Sequence, residues 1–189
     1  MPPENAAAVR SPVRARERSS RTLDQRLAIR FPRLAAASAR LLGRLPPDSR
    51  LRRAGMARNV RLAAEAYNRR DLDAVVIGYH PEIEYRPARA WVEGGFFEPC
   101  YRGRDGYRRY VATTAEVFGE EVYFKPTEIV DLGDRVVLLA TAPMRAQVSG
   151  IPLTEVFAYV ATLKDGKVIR LQEYYDHAEA LEAARLRPD

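Results

Sequence analysis

Between Arg58 and Pro87 the chain reads RNVRLAAEAYNRRDLDAVVIGYHPEIEYRP, and no other segment narrows the possible folds as far. Met56, Val60, Ala63, Ala64 and Tyr67 recur at helical spacing until Asn68-Arg-Arg ends the pattern. Asp71 stands where a side-chain oxygen caps a short helix carrying Leu72, Val75, Val76 and Tyr79. Pro81 stops that helix because it has no N–H to donate, and Glu82–Arg86 alternates as a strand. A helix, a short helix and a strand follow one another with almost no loop.

Downstream, residues 87–103 hold Gly94-Gly95, Pro99 and Gly103 and read as a long loop carrying Trp91, Phe96, Phe97 and Tyr101. Asp105 is expected to cap a third helix. Its Tyr107, Tyr110, Val111, Thr114, Val117 and Phe118 lie on one face, and Gly119 closes it. Strands are expected at Glu121–Val130, Arg135–Arg145, Pro152–Leu163 and Lys167–Tyr175, with Asp165-Gly166 as a hairpin turn. Asp176-His-Ala-Glu179 opens a last helix bearing Ala180, Leu181, Ala184 and Leu186. Helices precede a run of long antiparallel strands, so the class is α+β.

The first 55 residues differ from the rest. They hold thirteen Arg, no Lys and only four acids (Glu4, Glu17, Asp24, Asp48), a surplus of nine positive charges in a chain whose net charge is +6. Residues 56–189 are therefore mildly acidic. Residues 1–20 have almost no large apolar side chains and read as a disordered Arg-rich tail. Residues 21–55 read as a helical extension: Thr22-Leu-Asp-Gln25 has the form of a capping box, Leu23, Leu27 and Phe31 repeat before Pro32, and Leu34, Ser38, Leu41, Leu42 and Leu45 make a second amphipathic stretch. Asp48 is placed to cap a further helix. These helices are expected to pack on the core or on a partner subunit. Arg on their polar face would also suit a membrane surface, but no membrane partner is expected. No nucleic-acid partner is expected either, because the basic arm lacks interleaved aromatics for stacking bases.

Several function classes fall away. One cysteine, Cys100, excludes an internal disulfide framework, and two histidines, His80 and His177, exclude a histidine-rich metal cluster. No apolar run approaches the roughly 18 residues of a membrane span. No apolar core of a secretory leader opens the chain, so a cytoplasmic location is the expectation. Neither G-x-G-x-x-G nor a P-loop occurs, and no metal or other cofactor is expected.

Three segments, EAYNRRDLDAVVIGYHPEIEY (65–85), YRGRDGYRRYV (101–111) and LKDGKVIRLQEYYDHAEALEAARL (163–186), together resemble the SnoaL-like branch of the nuclear-transport-factor-two-like superfamily, which includes ketosteroid isomerases and polyketide cyclases. The resemblance covers about residues 56–186. It implies a cone-shaped roll, a curved antiparallel sheet wrapped around about three helices, with an apolar pocket and frequent homodimers. In ketosteroid isomerase-like members an aspartate just before the proline that closes the first strand is the base; that position is Arg86, before Pro87. The oxyanion tyrosine of those members falls at Ala63. Steroid isomerisation as that group performs it is therefore not expected. SnoaL-like cyclases carry an acid/base aspartate near the end of the last strand, where Asp176 stands, although Asp176 is also an ordinary N-cap.

The last strand offers two faces. Arg170, Gln172 and Tyr174, with Asp176 in phase, form one. Ile169, Leu171, Glu173 and Tyr175 form the other. If the first set lines the cone, Asp176, Tyr174 and Arg170 are the catalytic candidates and Gln172 binds substrate. If the second does, Glu173 is the acid/base, its pKa raised by desolvation. Tyr85, Trp91, Phe97 and Tyr110 are the further candidates for contacting a ligand. The ligand expected is a small apolar molecule carrying one or two oxygens. Two functions stay open: cofactor-independent cyclisation, isomerisation or hydration by proton transfer, or a non-catalytic ligand-binding or dimerisation module docked through its N-terminal helices.

Overall fold

The computed structural model describes residues 8–15, 19–119, 122–145 and 152–185. In chain order its elements are β1 (Val9–Pro12), α1 (Leu23–Arg30), α2 (Pro32–Gly43), α3 (Arg50–Asn68), α4 (Leu72–Val75) with a 3₁₀ turn at Val76–Gly78, and β2 (Tyr79–Arg86). There follow α5 (Arg89–Glu93), β3 (Tyr101–Arg102), α6 (Gly103–Phe118), β4 (Lys125–Asp131), β5 (Arg135–Arg145), β6 (Pro152–Lys164), β7 (Lys167–Tyr174) and α7 (His177–Arg185).

The strands make one curved, unclosed sheet in the order β1-β4-β5-β6-β7-β2-β3. Every neighbouring pair is antiparallel except β2 and β7, which run parallel with Tyr85 opposite Leu171. The sheet has two covered faces. On the inner face Ile83, Tyr85, Ile129, Val136, Ala161 and Leu171 pack with residues of α3, α4 and α6, including Ala66, Val75, Tyr107, Tyr110 and Val111. On the outer face Val130, Val137, Leu139, Ala158 and Val160 pack under Ala180 and Ala184 of α7. This is the alternation that a strand buried on both sides must show.

The cap at Asp71 forms as its position suggests: its Oδ1 accepts from the Ala74 N–H at 3.3 Å, and both its oxygens bind the Arg21 guanidinium at 2.7 Å. These bonds hold the Asp71 carboxyl below the ordinary carboxylate range. The hairpin at Asp165-Gly166 also forms, with φ of 52° and 73° at its two central residues. A Cβ on Gly166 would lie 2.3 Å from the Ala39 carbonyl carbon, so only glycine lets α2 rest on this turn.

The N-terminal third departs from the pattern in the sequence. Within the segment read as disordered, Val9–Pro12 is an edge strand, with Val9 opposite Asp131 and Pro12 opposite Glu128. Main-chain pairing on an open sheet edge needs no apolar side chains, so composition does not reveal it. Residues 1–7 and 16–18 of the expected tail, and the expected element positions Glu121 and Leu186, lie outside the described residues. The expected boundary at residue 55/56 falls inside α3, which runs unbroken and is capped by Ser49 rather than Asp48. Two smaller differences concern α6, which starts at Gly103 without a side-chain cap, and residues 89–93, which form α5 inside the expected loop.

Candidate active site

The carboxyl of Glu173 is the chemical centre of the inner face. Glu173 lies near the end of β7, in phase with Leu171, and is 2% exposed. Its Oε2 accepts from the Tyr85 hydroxyl at 2.7 Å and from the Tyr110 hydroxyl at 3.2 Å. Three elements deliver these groups. Tyr85 comes from β2, parallel to β7, and Tyr110 from the buried stripe of α6. The third neighbour, Tyr159, stands directly opposite Glu173 on β6. The backbone N–H of Ala88 also bonds the carboxyl. Gln172 holds that stretch of chain in place, donating to the Arg86 and Pro87 carbonyls at 3.4 and 3.3 Å.

Around this carboxyl the walls are aromatic. Tyr85 and Tyr110 have ring centroids 4.1 Å apart, and Tyr107 lies 5.4 Å from Tyr85. Phe97 packs on Tyr110 at 5.3 Å, and Trp91 sits between Phe118 at 4.7 Å and Tyr175 at 5.5 Å. Among the described residues no Lys, Arg or His forms an ion pair with Glu173.

An isolated buried carboxylate has lost its hydration without gaining a counter-charge, so it holds its proton to higher pH. Burial pushes the Glu173 carboxyl up to about 7, while the hydrogen bonds from Tyr85, Tyr110 and Ala88 pull it the other way. Burial raises the phenols as well: Tyr79 is pushed up to about 12, and Tyr85, Tyr107, Tyr110 and Tyr159 stand well above their ordinary value. They remain neutral O–H donors at physiological pH. The group thus combines a carboxyl that exchanges its proton near neutrality with two fixed donors converging on one of its oxygens. No cluster of three or more His, Cys, Asp or Glu side chains suited to a metal occurs among the described residues.

The sequence segment 60–171 matches the family model of the SnoaL-like domain. The chain belongs to the SnoaL-like domain family. Tyr85, Tyr107, Tyr110 and Tyr159 fall inside the matched segment, and Glu173 lies two residues beyond it. Among solved structures with this fold is TerC, co-crystallised with polyporic acid: 23% identity, a TM-score of 0.56, and coverage of 68% of this chain and 97% of that one. A nuclear-transport-factor-two-like protein of unknown function from Burkholderia pseudomallei matches at 24% identity and a TM-score of 0.56, covering 68% and 96%. A SnoaL-like protein of unknown function from Burkholderia thailandensis matches at 17% and 0.51, covering 69% and 99%. Comparison with curated protein sequences gives no match.

In this SnoaL-like domain the two faces of β7 go separate ways. Arg170 is exposed and lies 3.8 Å from Glu84 on the outer surface. Tyr174 packs with the cluster under α7. Asp176 is exposed, and its Oδ1 accepts from the N–H groups of Ala178 and Glu179 at 2.6 and 3.2 Å, capping α7. Arg170, Tyr174 and Asp176 are therefore not brought together with the inner aromatic group. Tyr85 and Tyr110 converge on Glu173, Phe97 reaches Tyr110, and Trp91 stands one ring further out. Tyr159 and Tyr107 were not singled out from the sequence as site residues. Tyr107 lies on the apolar stripe read for α6, whereas Tyr159 lies within the expected strand Pro152–Leu163, whose faces are not assigned from the sequence. An Asp176→Ala chain is expected to lose about 1 kcal/mol of stability in a urea titration, the cost of a missing N-cap, and to bind ligands as the parent does.

Surface hollows also occur among the described residues. One, of about 510 Å³, lies between the end of α2 and the hairpin turns at Gly133 and Gly166. Another, of about 810 Å³, lies between the segment Pro12–Ala15 and α3. Neither is lined by Glu173 or its tyrosine neighbours.

Proposed function

We propose that this SnoaL-like domain binds a small apolar molecule carrying one or two oxygens and moves a proton on it without a cofactor, with Glu173 as the acid/base. The observation that carries the reading is a buried carboxyl held by two phenol hydroxyls and paired with no cation among the described residues. In its ionised form Glu173 removes a proton from a carbon beside a carbonyl; in its neutral form it returns one. Tyr85 and Tyr110 each have one O–H, which they donate to Glu173 Oε2 in the unliganded site; once the carboxylate takes up the proton, one of them can turn to the substrate oxygen on which negative charge develops. Cyclisation, isomerisation and hydration all contain such a step. Glu173, Tyr85 and Tyr110 are all buried, so a ligand that reaches the carboxyl displaces side chains packed around it, such as Phe97, whose ring lies 5.3 Å from that of Tyr110.

The test follows proton exchange and needs no assumption about product. A panel of cyclic ketones and enones is incubated with the protein in D₂O, and loss of the α-proton signal is followed by NMR. At least one member is expected to exchange faster with the chain than in buffer. Glu173→Gln is expected to lower that acceleration by roughly a hundredfold or more. Unchanged exchange in Glu173→Gln would remove Glu173 from the chemistry.

The tight packing of Tyr85, Tyr110 and Phe97, with ring centroids 4.1 and 5.3 Å apart, favours a second reading. In that reading the rings are a filled core and the domain is a non-catalytic binding or dimerisation module. A thermal-shift screen in which no panel member raises the melting temperature, combined with no exchange, selects it.

A further inference from the structure

Helices α1 and α2 turn Ile29 and Leu42 toward the domain but leave most of their other large apolar side chains in solvent. α1 buries Gln25, whose Nε2 donates to the Leu62 carbonyl at 2.8 Å, and exposes Leu23 and Leu27. α2 has no buried residue at all, yet it carries Leu34 and Leu41. Leu23 is 71%, Leu34 69% and Leu41 63% exposed, and Phe31, at the corner between the two helices, is exposed as well. Scattered single leucines on a surface need no explanation. Five exposed large apolar side chains within nineteen consecutive residues (23–41), on helices anchored to the domain, are more than scattered exposure accounts for.

Arginines are interleaved with them. Arg26, Arg30, Arg33, Arg40 and Arg44 are all exposed. None of the five forms an ion pair with another described residue; Arg30 instead lies over the Phe31 ring at 6.0 Å. The segment is therefore cationic and apolar at once, and these five charges are not paired among the described residues.

We propose that the α1–α2 face docks on an anionic membrane surface, with Leu23, Leu27, Phe31, Leu34 and Leu41 entering the interface and the five arginines meeting lipid phosphates. Charge decides the partner. A second copy related by a two-fold axis would set five unpaired guanidiniums against five more. Nucleic acid accounts for the arginines but leaves the leucines in water. A fluid interface takes each protruding side chain separately and supplies negative charge around it. No helix of the described residues is long and apolar enough to cross a membrane, so the association is peripheral.

The test uses the full chain and sedimentation with vesicles of phosphatidylcholine alone or with about one-third phosphatidylglycerol, at about 50 and about 300 mM salt. Binding is expected to the anionic vesicles only, and to weaken with salt. Both Leu23→Ser/Leu34→Ser and Arg30→Glu/Arg33→Glu are expected to bind at least about tenfold more weakly. Their melting temperatures should match the parent, because all four side chains are exposed. Three results would overturn the proposal. One is no binding to anionic vesicles at low salt. Another is vesicle binding that the leucine variant leaves intact while duplex DNA binds equally well, which marks a general polyanion surface. The last is a dimer in size-exclusion chromatography that the leucine variant dissociates, which assigns the face to a second copy.

Discussion

Glu173→Gln is expected to make the protein more stable than its parent at pH 8 and to lose that advantage at pH 4. The unfolded chain gives up the Glu173 proton at its ordinary value of 4.5, whereas the folded chain keeps it to about 7. Between those values the folded state binds more protons than the unfolded one, so stability falls as pH rises. The contribution of the protonated carboxyl is complete below about pH 4.5 and gone above about pH 7. The difference between the two values corresponds to roughly 3 kcal/mol. Glutamine carries no proton to lose and keeps a carbonyl oxygen for Tyr85 and Tyr110. Urea titrations at several pH values should therefore show the parent weakening from pH 4.5 to 7 relative to Glu173→Gln, and running parallel to it outside that window. Asp71 shifts the other way and acts only in stronger acid, so it does not obscure the effect.

The largest loss of stability is expected from Arg52→Ala. Arg52 is 3% exposed, and every N–H of its guanidinium is used. Nε and Nη2 reach the two oxygens of Asp131 at 2.7 and 2.8 Å, and Nη2 also donates to the Gly133 carbonyl. Nη1 donates to the Gly43 and Leu45 carbonyls at 2.9 and 2.7 Å, satisfying the open C-terminal end of α2. One side chain thus joins α2, α3 and the turn between β4 and β5. Truncation leaves the Asp131 carboxylate buried without its cation and removes the Arg52 donors from the carbonyls of Gly43, Leu45 and Gly133, a loss of about 3–5 kcal/mol. Replacing both members, Arg52→Met with Asp131→Leu, removes the charges together and should cost far less. Denaturant midpoints of the two single variants and the double variant check this. A loss below about 1 kcal/mol in Arg52→Ala would show that the bridge is a surface pair.

Much of the domain was legible in the sequence because its signals are local and agree with one another. The helix–helix–strand run ending at Arg86, the stripe on α6 and the hairpin at Asp165-Gly166 each depend on spacing or turn chemistry, and each forms. What was not legible depends on contacts distant in sequence. Arg52 and Asp131 are 79 residues apart, and nothing near either names the other. β1 exists through main-chain pairing to β4, which leaves no side-chain pattern. The site stood in between. Alternation along β7 narrowed the acid/base to two sets, but choosing between them required knowing which face α7 covers. One signal was available: Ile169 and Leu171 share their face with Glu173, while Arg170 and Gln172 share theirs with Tyr174, so the more apolar set marks the core side. The pull of Asp176 came from its place after the last strand, where cap and catalyst share one residue type.

The central claim is that Glu173 is a buried carboxyl exchanging its proton near neutrality under the control of two phenols. Selective ¹³C labelling of glutamate side chains, with the Glu173 signal assigned by its loss in Glu173→Gln, reads this directly in a pH titration. The account predicts a Glu173 carboxyl midpoint of about 7, moving higher in Tyr85→Phe, where a hydrogen bond favouring the ionised form is lost. A midpoint near the ordinary 4.5, unmoved by Tyr85→Phe, would contradict it.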